Sequence, residues 1–323
     1  MRAPKLWDRR DRWSRLAVAA LAPIGWIYSA TVTWKAHNAT PYRSGIPILC
    51  VGNLTVGGTG KTPVAIAIAR ALKARGRKPF FLSRGYGGKL RGPLLVAPEH
   101  SVGDVGDEPL LLAAAAPVVV SHNRGEGARL AAKHGADVIV MDDGHQNFTL
   151  AKDLSIVVVD AAQPFGNGFV VPAGPLREFV SQGLARADAV VIVGDGEPKL
   201  TGYAGPILRA QLTHVDSPEL AGRRVVGFAG IGRPEKFFRS LRVFGAEIVA
   251  TKHFADHHIY TSSEIARLKA TARDANAVLV TTEKDFVRMT DIERQGIAVL
   301  PVRAVISDAK ALELLLDRLC ASR

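Results

Sequence analysis

The sequence predicts an α/β fold: a mainly parallel sheet unit, a second and smaller α/β unit after it, and one apolar, membrane-associated helix ahead of both. Three observations carry that prediction. A glycine-rich loop joins an apolar run to a stretch of helical periodicity in IPILCVGNLTVGGTGKTPVAIAIARAL, from Ile46. Short β-branched runs alternate with helix-length segments through the rest of the chain, the pattern of a parallel sheet covered on both faces. Leu16 to Trp34 runs without a formal charge behind a basic start. The expected units are residues 1–45, the basic and apolar N-terminal segment; 46–205, the unit holding the loop; and 206–323, a second α/β unit closing over a cleft.

The N-terminal segment comes first. Arg2, Lys5, Arg9, Arg10, Arg12 and Arg15 face only Asp8 and Asp11. The uncharged run is close to the roughly 20 residues that cross a bilayer as a helix, but Pro23, Gly25 and several Ser and Thr dilute it. A cleaved signal peptide, a spanning helix and a helix lying in the membrane surface all fit this composition. A span with its basic end in the cytoplasm would carry the rest of the chain outside, away from ATP. The surface helix is the preferred reading, with Trp13, Trp26, Tyr28 and Trp34 at headgroup level and arginines on anionic lipid.

Across all 323 residues, 42 Lys and Arg exceed 30 Asp and Glu, a net charge of +12 that suits nucleic acid, an acidic membrane or a phosphorylated substrate. The hydrophobic share of 47% excludes a disordered chain. Cys50 and Cys320 have no Cys or His partner at metal-ligand spacing, and Cys50 sits in an apolar run as a small strand residue, which fits a reducing compartment.

The loop Thr55, Val56, Gly57, Gly58, Thr59, Gly60, Lys61, Thr62 has the residue types that bind nucleotide phosphates. Glycines let backbone N–H groups converge, a helix from about Lys61 adds its positive end, Lys61 reaches the β- and γ-phosphates, and Thr62 offers a hydroxyl to Mg²⁺. The usual first glycine is Thr55. DVIVMDDGHQ is a β-branched run ending in Asp142 and Asp143, one of which is expected to hold the metal directly or through water. Together they predict a P-loop NTPase-like sheet. KPFFLS, PVVVSH, LSIVVVD and AVVIVG supply further strands, and ligands gather beyond strand ends carrying Ser83, Ser121, Asp142 and Asp160.

Several residues read blandly by themselves. Asp107, before Glu108 and Pro109, is an ordinary helix-start acid. Arg84 and Tyr86, in LSRGYGG after a strand, are glycine-turn residues that could touch substrate or nucleotide phosphate. His257 and His258 are adjacent, project differently and make no metal pair. GFAGIG in the second unit lacks the third glycine and the acidic ribose ligand of a dinucleotide site and reads as a tight strand-to-helix turn. Thr261 to Glu264 has capping-box spacing, and AVLVTTEKDFVR and IAVLPVRA supply two strands.

In order, GNLTVGGTGKTP, LSRGYGG, VGDEP, DDGHQ, PFGNG, PAGPLRE, FADHH and TTEKD resemble the tetraacyldisaccharide 4'-kinase family of lipid A biosynthesis, from Gly52 to Asp285. Asn147 stands where that family often has His, and Val171 where Leu is common. The resemblance implies transfer of the ATP γ-phosphoryl group to the 4'-hydroxyl of an acylated glucosamine disaccharide 1-phosphate, on the cytoplasmic face of the bacterial inner membrane. It implies Asp107 as base with His257 orienting it or sharing its proton, and Glu108, Asn167, Arg177 and Glu178 near the substrate. The rival from the sequence is a membrane-recruited P-loop switch or partition ATPase, whose KGGxGK lysine is here Val56. No dispersed basic and aromatic groove points to nucleic acid, and no motif points to a protein partner.

Overall fold

The computed structural model describes residues 7, 11–214 and 220–321. Arg2, Lys5, Arg9 and Arg10 of the basic cluster lie outside the described residues. In chain order the elements begin with α1 (Arg12–Asn38), β1 (Ile48–Gly52), α2 (Lys61–Ala74), β2 (Pro79–Ser83), β3 (Leu94–Leu95), α3 (Val102–Val105), α4 (Asp107–Ala113), β4 (Val118–Val120), α5 (Arg124–Lys133) and β5 (Val138–Asp142). They continue with β6 (Leu154–Asp160), α6 (Val180–Leu184), β7 (Ala189–Val193), β8 (Ile207–Thr213), β9 (Arg224–Ala229), α7 (Pro234–Val243) and β10 (Glu247–His253). The last are α8 (Ser262–Asp274), β11 (Val278–Thr282), α9 (Glu283–Phe286), α10 (Asp291–Arg294), β12 (Ile297–Leu300), β13 (Arg303–Ile306) and α11 (Ala309–Ala321).

Among the described residues a nine-stranded sheet runs β13-β8-β7-β6-β1-β5-β2-β4-β3, and a four-stranded one runs β10-β9-β11-β12. The larger sheet is parallel except where β13 pairs with β8 and β3 with β4. Alternation along the central strands divides its core. Leu49, Val51, Val138 and Val140 pack against Val64, Ile68 and Leu72 of α2 and Leu315, Leu316 and Leu319 of α11. Ile48, Cys50, Ile139 and Met141 pack on the other face with Ala128 and Ala131 of α5. Burial on both faces explains why these strands read as continuous apolar runs. Cys50 is fully buried, as its setting implied.

The expected boundary at residue 206 does not follow the sheets. β8, just beyond it, pairs parallel with β7, and β13 returns to pair antiparallel with β8. α11 then closes over the larger core. IAVLPVRA, expected to supply one strand, thus divides: Ile297–Leu300 is β12 of the smaller sheet, and the chain from Arg303 forms β13 at an edge of the first, a long-range pairing that no local pattern announces.

α1 is longer than the uncharged run and carries Pro23 within it. Asp11 caps it by accepting from the Ser14 N–H at 3.0 Å. Ser14, Val18, Ala22, Gly25, Ser29 and Val32 form its buried stripe, at spacings of three and four. Gly25 is required there, because a Cβ would meet the Val170 carbonyl oxygen at 2.8 Å. Ser29 Oγ donates to Gln182 Oε1 at 3.2 Å and accepts from the Phe179 N–H at 3.3 Å, and Trp7 Nε1 donates to the Pro172 carbonyl at 3.0 Å. The opposite face exposes Trp13, Leu16, Ile24, Ile27 and Trp34. α1 is long and apolar enough to cross a membrane, with a mean hydropathy of 1.5 over its most apolar 18 residues.

At the end of β1, Gly52 allows His145 to pass over the strand, since a Cβ would meet the His145 Cβ at 2.5 Å. His145 is buried, and burial with nearby Lys152 and Arg186 lowers its pKa to about 3. The neutral ring donates from Nε2 to the Gly183 carbonyl at 2.9 Å, which leaves Nδ1 to accept from Ser155 Oγ at 3.0 Å. Gly52→Ala is therefore expected to cost about 1–3 kcal/mol by overpacking. A thermal melt unchanged from wild type would show that this contact gives way freely.

Candidate active site

The site begins with a short loop between β1 and α2. Gly57 and Gly60 take φ of 117° and 89°, left-handed values that favour glycine. A Cβ at Gly57 or Gly58 would meet nothing within 4 Å, so the loop borders open space ahead of the α2 N-terminus. The start of the loop is held from two sides. Asn53 Nδ2 donates to the Thr55 carbonyl at 2.7 Å and to Thr59 Oγ1 at 3.2 Å. Thr55 bridges Leu176, and the Val56 N–H donates to the Pro175 carbonyl at 2.8 Å. The PAGPLRE segment thereby fixes the loop whose first glycine is missing.

Asp142 and Asp143 follow at the end of β5, and their surroundings separate their roles. Asp143, with φ of 52°, accepts two bonds from Arg177, at 2.8 and 3.0 Å, and lies 3.7 Å from Lys61 Nζ. Burial opposes its ionisation, but Lys61 and Arg177 prevail and bring its pKa to about 2. Asp142 is buried, and burial with the charge of Glu108 pushes its pKa to about 7 against the pull of Lys61. Its Oδ2 accepts from Thr62 Oγ1 at 3.3 Å, while its buried Oδ1 has no hydrogen-bond partner among the described residues. Such an oxygen beside a threonine hydroxyl fits a hard divalent cation such as Mg²⁺. No group of three or more His, Cys, Asp or Glu converges among the described residues, so nucleotide oxygens and water would complete the coordination.

The third component joins the two sheets. Asp107, the first residue of α4, is buried, and its Oδ2 lies 2.9 Å from His257 Nδ1 on the loop after β10, 150 positions away in sequence. His257 adopts φ of 58°, uncommon for a non-glycine residue and a conformation that clusters at functional sites. Burial would raise the Asp107 pKa, but the His257 hydrogen bond and the charges of Lys284 and Arg288 hold it well below the usual carboxylate range. Tyr86 is exposed, with its ring centroid 6.0 Å from that of His257. Arg84 is also exposed. A second tie joins the units where Asp160, at the end of β6, accepts from Arg233 at 2.5 Å and Lys236 at 3.0 Å.

The remaining expected residues divide. Glu108 lies near enough to influence both Asp142 and Arg177. Glu178 is fully buried, accepting from Gln146 Nε2 at 2.9 Å and Arg186 Nη2 at 2.6 Å, and anchors its own segment. Asn167 binds the Ala173 carbonyl and the Phe169 N–H, folding the loop it sits in. The expectations did not include Arg124, the first residue of α5. It is buried, donates to the Ser121 carbonyl at 2.9 Å and forms no ion pair within 4 Å among the described residues. Burial, aided by Arg84, lowers its pKa to about 10, and it senses both Asp142 and Asp143. The only signal in SHNRGEG was a cation at a helix start, against the dipole; its burial shows only in the structure.

The family model described as tetraacyldisaccharide-1-P 4'-kinase matches residues 17–321. The chain belongs to the tetraacyldisaccharide-1-phosphate 4'-kinase family. It is an ATP-dependent lipid kinase that phosphorylates the 4'-hydroxyl of an acylated disaccharide 1-phosphate, a lipid A precursor. Among curated relatives, tetraacyldisaccharide 4'-kinase of Rhodospirillum rubrum is 48% identical over 100% of this chain and 99% of that protein. That of Paramagnetospirillum magneticum is 50% identical over 99% of each. Among solved structures, an "apo" form of LpxK from Aquifex aeolicus in complex with ATP matches with a TM-score of 0.78 and 26% identity, covering 94% of this chain and 99% of that one. The two-sheet kinase fold with one N-terminal apolar helix is therefore shared.

Lys61→Ala and Thr62→Ala are expected to lower turnover by roughly a hundredfold or more, through lost phosphate neutralisation and lost metal placement. Near-normal turnover of either folded variant at saturating ATP and Mg²⁺ would remove this loop from the chemistry.

Proposed function

We propose that the phosphate loop, the Asp142–Asp143 pair and the Asp107–His257 pair form one catalytic centre for 4'-phosphorylation. The observation that carries this reading is the 2.9 Å contact between Asp107 and His257, made from motifs 150 residues apart next to Glu108, whose charge reaches Asp142. Lys61 and the glycine loop bind the ATP phosphates, while Thr62 and Asp142 would hold Mg²⁺, which would supply neutralisation of charge on the transferring group. Asp143 keeps Lys61 and Arg177 in place. Arg124, buried without an ion pair among the described residues, would add positive charge near the same phosphates.

Asp107 holds the acceptor 4'-hydroxyl at attack geometry and takes its proton as the bond to phosphorus forms. A strongly ionised carboxylate is a weak base, which suits a loose transition state in which the proton leaves late. His257 orients that carboxylate, and Tyr86 and Arg84 border the place where the acceptor enters. The two sheet units are read as closing over this cleft, which would exclude water from ATP.

The acceptor is a lipid, so the exposed face of α1 is read as lying in the cytoplasmic leaflet of the inner membrane. Its apolar and aromatic side chains would sit at the bilayer surface, with Arg12 and Arg15 toward anionic headgroups. The opposite face is occupied by the protein through Gly25 and Ser29, which favours a helix lying against the body over one leaving it.

Supplying γ-labelled ATP and a lipid disaccharide 1-phosphate tests the reaction, with label expected on the lipid. Label released only as phosphate would contradict it. Ile27→Glu combined with Trp34→Glu is expected to retain the fold and ATP affinity, weaken flotation with anionic vesicles at least severalfold, and lower turnover on the acylated acceptor. Unchanged flotation and turnover would show that this face is not the docking element.

A further inference from the structure

Asp107 is gripped unevenly. His257 Nδ1 at 2.9 Å, Arg288 Nε at 2.9 Å and Arg288 Nη2 at 2.5 Å all meet Oδ2, and Lys284 Nζ is 3.9 Å from the same atom. No hydrogen bond from the described residues reaches Oδ1. Two donors of one planar guanidinium on a single oxygen, with a third from an imidazole, fix the rotation of the carboxylate about its Cβ–Cγ bond. The free oxygen then points one way.

Arg288 is itself immobile. Its side chain is 1% exposed, and Nη1 donates to the Gly230 carbonyl at 2.7 Å and to Asp285 Oδ1 at 2.9 Å. Asp285, 0% exposed, also accepts from the Gly230 N–H at 2.9 Å, Tyr260 Oη at 2.8 Å and Thr282 Oγ1 at 2.7 Å. Every anchor of Arg288 therefore lies on the four-stranded side of the molecule, while the carboxylate it grips lies on the nine-stranded side.

We propose that Arg288 is a positioning residue for phosphoryl transfer, which turns Asp107 so that Oδ1 is presented to the acceptor hydroxyl when the two units are together. This rests on the role proposed for Asp107. Lysine is a poor substitute, since an ammonium is a point charge and cannot set two donors in one plane on the oxygen. The guanidinium also opposes the burial that would otherwise protonate the carboxyl. The other groups facing Asp107 are His257 and Lys284 from the four-stranded side, with Glu108 beside it on α4 and Tyr86 beyond His257.

The test compares wild type, Asp107→Asn, Arg288→Met and Arg288→Lys in the full-length protein, with labelled ATP and a lipid disaccharide 1-phosphate across a pH series. Arg288→Met is expected to lower kcat about a hundredfold while the ATP KM stays within about threefold. Removing the cation raises the Asp107 pKa, and transfer needs the ionised form. The variant should therefore show its acid limb at a higher pH than wild type, while His257 and Lys284 still face the carboxylate and limit the rise. Arg288→Lys keeps the charge, so its acid limb should stay near wild type while kcat falls about tenfold or more.

Should Arg288→Met not fold, Arg288→Lys decides: kcat near wild type overturns the proposal. So does a folded Arg288→Met variant with wild-type kcat, or one with reduced kcat and an unmoved acid limb, the signature of general loosening. If Asp107→Asn is as active as wild type, the role assigned to Asp107 fails, and with it this inference. If Asp107→Asn is inactive while Arg288→Met is not, this inference alone fails.

Discussion

Two adjacent carboxylates at the end of one buried strand, Asp142 and Asp143, are the constraint around which the rest of the site is built. Ionised carboxylates cannot be left in such a position without compensation, because burial penalises charge by several kcal/mol. The protein resolves them differently. Asp143 turns out of the strand at φ of 52° into the fork of Arg177 and toward Lys61. Asp142 keeps one oxygen without a protein partner, beside the hydroxyl of Thr62. The PAGPLRE segment contributes Arg177 to this balance, and its Pro175 and Leu176 tether the glycine loop. The same segment runs on to Phe179 and Gln182, where α1 docks through Ser29. The apolar helix α1 and the glycine loop are thus tied to one stretch of chain.

The proposed role of Asp107 carries a second requirement, that the acceptor meets the nucleotide in a place to which both units contribute. Asp107 comes from the helix following β2 and its long connection, and His257, Lys284 and Arg288 come from the loops around the smaller sheet. Asp160 with Arg233 and Lys236 forms a separate tie at the end of β6. Both ties are ionic and only partly exposed, so they persist in salt better than surface pairs while remaining separable by water. A packed apolar interface would hold the units together more permanently.

Much of this was legible in the sequence because its causes are local. GGTGKT after a β-branched run specifies a strand, a phosphate loop and a helix, and α2 begins at Lys61. Asp142 ends its strand, and Thr261 and Glu264 form the capping box their spacing announced. What could not be read has non-local causes. The pairing of Arg303–Ile306 with β8 joins residues about ninety positions apart, so β13 looked like part of the second unit. Arg124 and Arg288 look like ordinary surface cations until burial and partners are known. Glu178 and Asn167 were placed near the substrate by resemblance; Asn167 spends its hydrogen bonds on its own loop, and Glu178 accepts from Gln146 and Arg186. The division between Asp142 and Asp143 depends on one unpartnered oxygen, which no motif encodes.

The division of labour between those two carboxylates is the central claim, and Mn²⁺ binding to the ATP-saturated protein, followed by electron paramagnetic resonance, tests it most directly. Asp142→Asn should weaken Mn²⁺ binding by about tenfold or more, because it removes an oxygen ligand. Asp143→Asn should leave Mn²⁺ affinity within a few-fold of wild type while turnover collapses, because Lys61 and Arg177 lose the group that holds them. Loss of Mn²⁺ in Asp143→Asn with retention in Asp142→Asn would contradict the account.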